Sequence, residues 1–272
     1  MRPWLALALV VAAVGVSPLF FQRIVERVLF QPSPGVDFTP EALGIAAETL
    51  WLQTQDGVRL HAFFLPGPPG TSRAILFLHG NAGNASHRLP NAAALRDLGA
   101  HVLLLDYRGY GLSEGRPSER GVCADARAAL AHLIETRGVR EARVVLFGRS
   151  LGGAVALDLA QDRRLGGVIL ESTFTSLRDM ARGVIGPLAD LLVRSGFESV
   201  AKIARVRAPL LFFHGDRDSI VPYELGLRLY EAAPEPKAFE TIRGADHNDT
   251  LIVGGRAYFE RIHRFLDEVT PD

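Results

Sequence analysis

The sequence has almost no cysteine. Cys123 is the only one in 272 residues, so no disulfide can form within the chain and cysteine usage points to neither an oxidising nor a reducing compartment. It lies in a stretch with helix composition, Pro117 to Thr136, and reads as a small buried hydrophobe rather than a reactive thiol. Net charge is also missing: 30 Lys and Arg balance 30 Asp and Glu. No basic cluster breaks that balance, which removes the electrostatic footprint of a nucleic-acid binder. Eight histidines are present, but no two stand at metal-ligand spacing with a carboxylate, so no metal site is expected. Gly109-Tyr110-Gly111 does not make a dinucleotide fingerprint: the third glycine comes one residue late, and Pro117 sits where a helix should already run. No cofactor is expected, and no internal repeat or low-complexity tract is visible.

What is present is apolar bulk, 48% of the residues, in a length suited to one large α/β domain or two small ones. Glu48 to Gln53 and Val58 to Phe64 read as two strands joined at Asp56-Gly57, a hairpin signal. Short apolar runs follow at Ala74 to Leu78, Val102 to Leu105, Val144 to Phe147, Val168 to Leu170 and Pro209 to Phe213. Helix-like stretches separate them at residues 85–98, 118–136, 151–161, 223–232 and 251–269. Continuous apolar strands alternating with helices predict a parallel sheet covered on both faces. Residues 174–206 break the alternation and read as an insertion of one to three small helices, or as a long crossover connection.

Pro3 to Phe21 carries no charge over nineteen residues. As a helix it would reach roughly 28 Å at about 1.5 Å per residue, close to the thickness of a hydrocarbon core. We read it as an uncleaved signal anchor, giving a membrane-associated chain with a single N-terminal span and the membrane as a partner. A cleaved signal peptide, leaving a secreted or periplasmic chain, and a peripheral apolar helix are the competing readings. Arg2 on one side balances Arg23 and Arg27 on the other, so orientation is not set. Residues 1–30 thus form anchor and connector, and residues 31–272 the main domain.

Gly148-Arg149-Ser150-Leu151-Gly152 joins a strand-like run to a helix-like one. Gly-x-Ser-x-Gly in that setting is a nucleophile elbow, in which glycines flank a turn too tight for side chains and the serine projects from the sheet edge. Asp218 follows the run Pro209 to Phe213, and His247 precedes the last helix. Ser, Asp and His in this chain order, each at a strand end, fit a hydroxyl nucleophile with its base and orienting acid.

Five segments over residues 45–270 carry a resemblance: His79-Gly80-Asn81-Ala82-Gly83-Asn84, Asp106 to Gly115, the Ser150 turn, the Asp218 loop and the His247 loop. In that order they resemble α/β-hydrolases, and in particular the small membrane-associated serine hydrolases of the BEM46-like group. The resemblance implies an α/β-hydrolase fold with a mostly parallel eight-stranded sheet, helices on both faces and a small cap insertion at 174–206. It implies that Ser150, Asp218 and His247 are catalytic and that Asp218, rather than Asp216, is the acid by its spacing before Val221. Glu171 stands at the alternative acid position seen in some hydrolases. The backbone N–H groups of Leu151 and Asn81 are the expected oxyanion donors. The expected substrate is a carboxylic ester or thioester, lipid and acyl-protein esters included. Peptide or amide cleavage on the same residues, and a non-catalytic binding scaffold, are the alternatives.

Overall fold

The computed structural model describes residues 27–193 and 196–271. The expected span over Pro3 to Phe21 falls outside them. Among the described residues no helix is long and apolar enough to cross a membrane. The expectation of a membrane-associated chain with a single N-terminal span is corrected accordingly.

Eight strands form one sheet: β1 (Glu48–Gln53), β2 (Arg59–Leu65), β3 (Ala74–Leu78), β4 (His101–Leu105), β5 (Val144–Arg149), β6 (Gly167–Glu171), β7 (Leu210–Gly215) and β8 (Lys237–Ile242). Their spatial order is β1-β2-β4-β3-β5-β6-β7-β8. β2 runs antiparallel to both of its neighbours, and β3 to β8 are mutually parallel. The apolar runs form strands because both faces are covered, so every residue of β3, β5, β6 and β7 is buried.

Side chains alternate across the sheet. Leu76, Leu78, Leu103, Leu146, Leu170 and Phe212 face one layer. That layer holds α2 (Glu119–Ala131), α3 (Leu151–Ala160), α6 (Ser199–Ile203) and α7 (Tyr223–Ala232). Ile75, Phe77, Leu104, Phe147, Ile169 and Phe213 face the other. That layer holds α1 (Leu89–Arg96) and α8 (Thr250–Val269). Each such Leu, Ile or Phe contributes about 1.5–3 kcal/mol on full burial. Cys123 lies in the core as expected, and burial pushes its thiol up.

Several elements differ in detail from expectation. The stretch 85–98 is not one helix. Asn84 accepts the Ser86 N–H at 3.0 Å and starts a separate 3-10 turn, Ala85–Arg88, before α1 begins with Pro90 in its first turn, where a missing N–H costs nothing. The helix expected to Thr136 ends at Ala131 and continues as a π turn, His132–Thr136. The insertion carries α4 (Leu177–Ile185), α5 (Leu188–Leu192) and α6.

The Pro-rich stretch Gln31-Pro32-Ser33-Pro34-Gly35 is ordered against the loop that follows β3. Gln31–Pro32 pairs in parallel with Ala82–Gly83. Gln31 N–H donates to Asn81 O at 3.0 Å, Ser33 N–H to Gly83 O at 2.9 Å and Gly35 N–H to Gly111 O at 2.8 Å. Asn84 Nδ2 reaches Asp37 at 3.2 Å. Residues 31–37 are thus a strap across the loop that follows β3.

Candidate active site

Ser150 lies between β5 and α3 with φ 53° and ψ −117°, a conformation a non-glycine residue rarely adopts. Its N–H donates to the Glu171 carbonyl at 2.8 Å. The close packing of this turn explains its glycines. A Cβ on Gly152 would strike the Leu78 carbonyl, and one on Gly148 would strike the backbone of Gly152 and Gly153. Strand β3 and helix α3 therefore touch backbone to backbone where the serine emerges.

Asp218 and His247 come from the loops after β7 and β8. His247 Nδ1 stands 2.8 Å from Asp218 Oδ2 and 3.1 Å from Oδ1, with both side chains buried. Asp218 Oδ1 also accepts the N–H groups of Ile220 at 3.0 Å and Val221 at 2.7 Å. Burial on its own would raise this carboxyl. Hydrogen bonds from His214, His247 and the Val221 backbone outweigh it and hold Asp218 well below the usual carboxylate range.

Ser150 and His247 line one cavity of about 270 Å³, together with Gly80, Asn81, Arg88 and Arg149. No direct hydrogen bond joins the Ser150 hydroxyl to the imidazole. A larger cavity of about 410 Å³ beside Trp51 and His132 is lined by neither serine nor cysteine. The backbone N–H groups of Asn81 and Leu151 have no partner among the described residues. Leu151 itself is buried at the first position of α3 and does not line the cavity. The Asn81 loop is held from behind: its carbonyl accepts from Tyr110 Oη at 2.7 Å and from Gln31 N–H, and its side chain donates to Leu29 O at 2.9 Å. None of the described residues of the 174–206 insertion lines this cavity. Instead Phe197 of that insertion packs edge-on against Phe30 and Phe174, and its N–H donates to Glu119 at 2.9 Å.

The competing candidates are occupied elsewhere. Asp216 accepts the Gly244 N–H at 2.6 Å, Asp246 accepts from Ser219 and from the His247 N–H, and Asp249 accepts the Asp246 N–H. Glu171 accepts hydrogen bonds from Thr250 Oγ1 at 2.8 Å and from the Tyr258 hydroxyl, and forms an ion pair with Arg149, Nε to Oε1 at 2.9 Å. His79 is fully buried behind the loop, its Nδ1 2.7 Å from the Gly80 carbonyl, and burial pushes it down to about 4. His214 Nε2 lies 2.9 Å from the Val221 carbonyl.

Sequence reasoning missed Arg149. Besides Glu171, its Nη2 donates to the His247 carbonyl at 2.6 Å and to Asn248 at 3.0 Å, so one guanidinium ties the elbow to the histidine loop. The signal was legible: opposite charges end two apolar runs, and the register pairs Arg149 with Glu171. Arg108 ties further loops together, meeting Asp56 at 2.8 Å and Asp125 at 2.8 Å.

The family described as Hydrolase_4, serine aminopeptidase S33, matches residues 70–195. The α/β hydrolase domain-containing protein WAV2 of Arabidopsis thaliana is 38% identical over 287 residues, covering 97% of this chain and 93% of its own. Protein bem46 of Schizosaccharomyces pombe is 35% identical over 243 residues, covering 85% and 80%. The solved Pyrococcus furiosus esterase Pf2001 superposes with a TM-score of 0.72 at 21% identity, covering 89% of this chain and 98% of its own. Strand order, the serine turn and these relatives agree, and the chain belongs to the α/β-hydrolase family, with relatives of the BEM46 type.

Proposed function

We propose that this chain is a serine hydrolase that cleaves a carboxylic ester or thioester through an acyl-serine intermediate, carried by residues 31–272. The observation that carries the reading is the convergence on one cavity of a serine in an elbow conformation and an imidazole whose far nitrogen meets a buried carboxylate.

A serine hydroxyl is a weak nucleophile at neutral pH and needs a base. In this reading His247 Nε2 takes the Ser150 proton as Oγ bonds to the substrate carbonyl carbon. His247 Nδ1–H donates to Asp218, which fixes the tautomer and stabilises the imidazolium. The depressed Asp218 carboxyl keeps its charge throughout the working range. The carbonyl oxygen, now negative, receives the N–H groups of Asn81 and Leu151, each such donor contributing about 3 kcal/mol. The imidazolium returns its proton to the leaving alcohol or thiol as the C–O or C–S bond breaks. Water, deprotonated by the same imidazole, then releases the acid and restores Ser150.

Labelling with a fluorophosphonate tests this. Wild-type protein labels, and Ser150→Ala loses the label along with ester turnover. An unlabelled wild type rejects the hydrolase in favour of a scaffold. The second reading, amide cleavage, is favoured by the peptidase description of the matched family. Turnover of aminoacyl anilides faster than of matched esters selects it.

A further inference from the structure

Three cationic side chains reach the Ser150 cavity or its wall: His247 when protonated, Arg149 and Arg88. The first two are committed. His247 faces Asp218, and Arg149 is held by Glu171 and two oxygens of the histidine loop. Arg88 is not. Among the described residues no carboxylate comes within 4 Å of it, and its one hydrogen bond is a long one, Nη2 to the Ala82 carbonyl at 3.4 Å. Its Nε is buried with no acceptor at all. His87, its neighbour in the chain, takes the nearby Asp37 at 2.7 Å. Withdrawing a guanidinium from water without a counter-charge is unfavourable, and burial followed by the Arg149 charge shifts Arg88 downward. The residue is also placed with care. It closes the 3-10 turn that follows the Asn81 loop and caps the start of α1, so its backbone is fixed by two elements. The cavity therefore carries a planar, fork-shaped donor set that no described carboxylate pairs, beside Ser150.

Building on the acyl-serine reading, we propose that Arg88 is a specificity residue for substrates carrying a carboxylate or similar planar anion near the scissile ester. The fork geometry suits bidentate pairing with such a group. Pairing would give the uncompensated guanidinium its counter-charge and seat the ester carbonyl next to Ser150 and the Asn81 loop. The chemistry of the substrate is then a half-ester of a dicarboxylic acid, or an ester whose leaving group bears the carboxylate.

Matched ester pairs distinguish these. 4-Nitrophenyl hemiglutarate against 4-nitrophenyl valerate places the charge on the acyl side. 4-Carboxyphenyl acetate against its methyl ester places it on the leaving group. The wild type is expected to favour the anionic member of one pair by about tenfold in kcat/KM, the scale of one charged hydrogen-bonded contact. Arg88→Gln should lower that anionic-to-neutral ratio about tenfold, and Arg88→Lys, a charge without the fork, should fall between. A wild type with no anionic preference in either pair overturns the proposal. So does an Arg88→Gln ratio equal to wild type with both rates lowered, which would mean the guanidinium serves the oxyanion or the fold. Binding to Ser150→Ala protein separates this from the hydrolase reading itself. Monomethyl glutarate should bind more tightly than dimethyl glutarate, with a difference that shrinks as salt rises. Equal binding overturns the anion preference, whereas loss of fluorophosphonate labelling by the wild type overturns the chemistry alone.

Discussion

His79 is fully buried and next to the loop that carries Asn81. Its proton affinity is set by burial, against a weaker pull from Asp106, and lies at about 4. The unfolded chain has an ordinary imidazole near 6.5, so below that value the unfolded state binds the extra proton and the folded state does not. Stability present above about 6.5 is therefore lost as pH falls toward 4, with this group contributing a slope of up to about 1.4 kcal/mol per pH unit within that window. Urea denaturation between pH 7.5 and 4.5 should show the slope in wild type and a shallower one in His79→Gln. The sequence marked the loops that carry Ser150, Asp218 and His247 and was silent about how they are held. Arg149 occupies a variable position of its motif, and its partner Glu171 ends a strand after three apolar side chains, Val168, Ile169 and Leu170. Burial of a charge cannot be read from a linear pattern that otherwise spells a core.

Elements come next. β3, β5 and β7 were legible because double-sided burial demands unbroken apolar runs; β3 has the expected bounds, while β5 and β7 run two residues further, through Arg149 and His214. The split of 85–98 was not legible, because the Asn84 side chain that starts the extra turn competes locally with a helix. The elbow glycines belong to this scale as well. Gly152 is where α3 rests on β3, and its Cβ would meet the Leu78 carbonyl. Gly152→Ala must push the helix away from the strand, a backbone displacement with no rotamer to relieve it. We expect a loss of about 1–3 kcal/mol in denaturant stability, the range for overpacked cores, with fluorophosphonate labelling impaired more than the stability change explains. Normal labelling with reduced stability would uncouple the two.

For the whole molecule, architecture followed from the alternation of runs, and the α/β-hydrolase sheet is the outcome. Two regions did not follow from pattern. The described residues of the 174–206 insertion pack through Phe197 against Phe30 and Phe174 and line none of the Ser150 cavity. The Pro-rich stretch 31–35, which carries no strand pattern in the sequence, forms the strap over residues 81–84 and 111. A chain beginning at residue 27 and one beginning at residue 38 should both fold. The shorter one should lose about 10- to 100-fold in kcat, since displacing an oxyanion donor by about 1 Å is that severe. Turnover and circular dichroism of the two truncations check it, and equal turnover would leave the strap without a catalytic role.

That strap couples the residues ahead of it mechanically to the Asn81 loop. Tension applied ahead of residue 27 passes through Gln31 to the carbonyl of Asn81, one peptide bond from the N–H of the residue after it and on the same residue as the proposed donor. The opposite end of the chain leaves through α8 on the far layer and has no such linkage to the loop. Carriers, tags or docking partners attached at the two termini are consequently not equivalent: a pull at one end bears on the Asn81 loop, and a pull at the other bears on α8 and its bonds to Glu171.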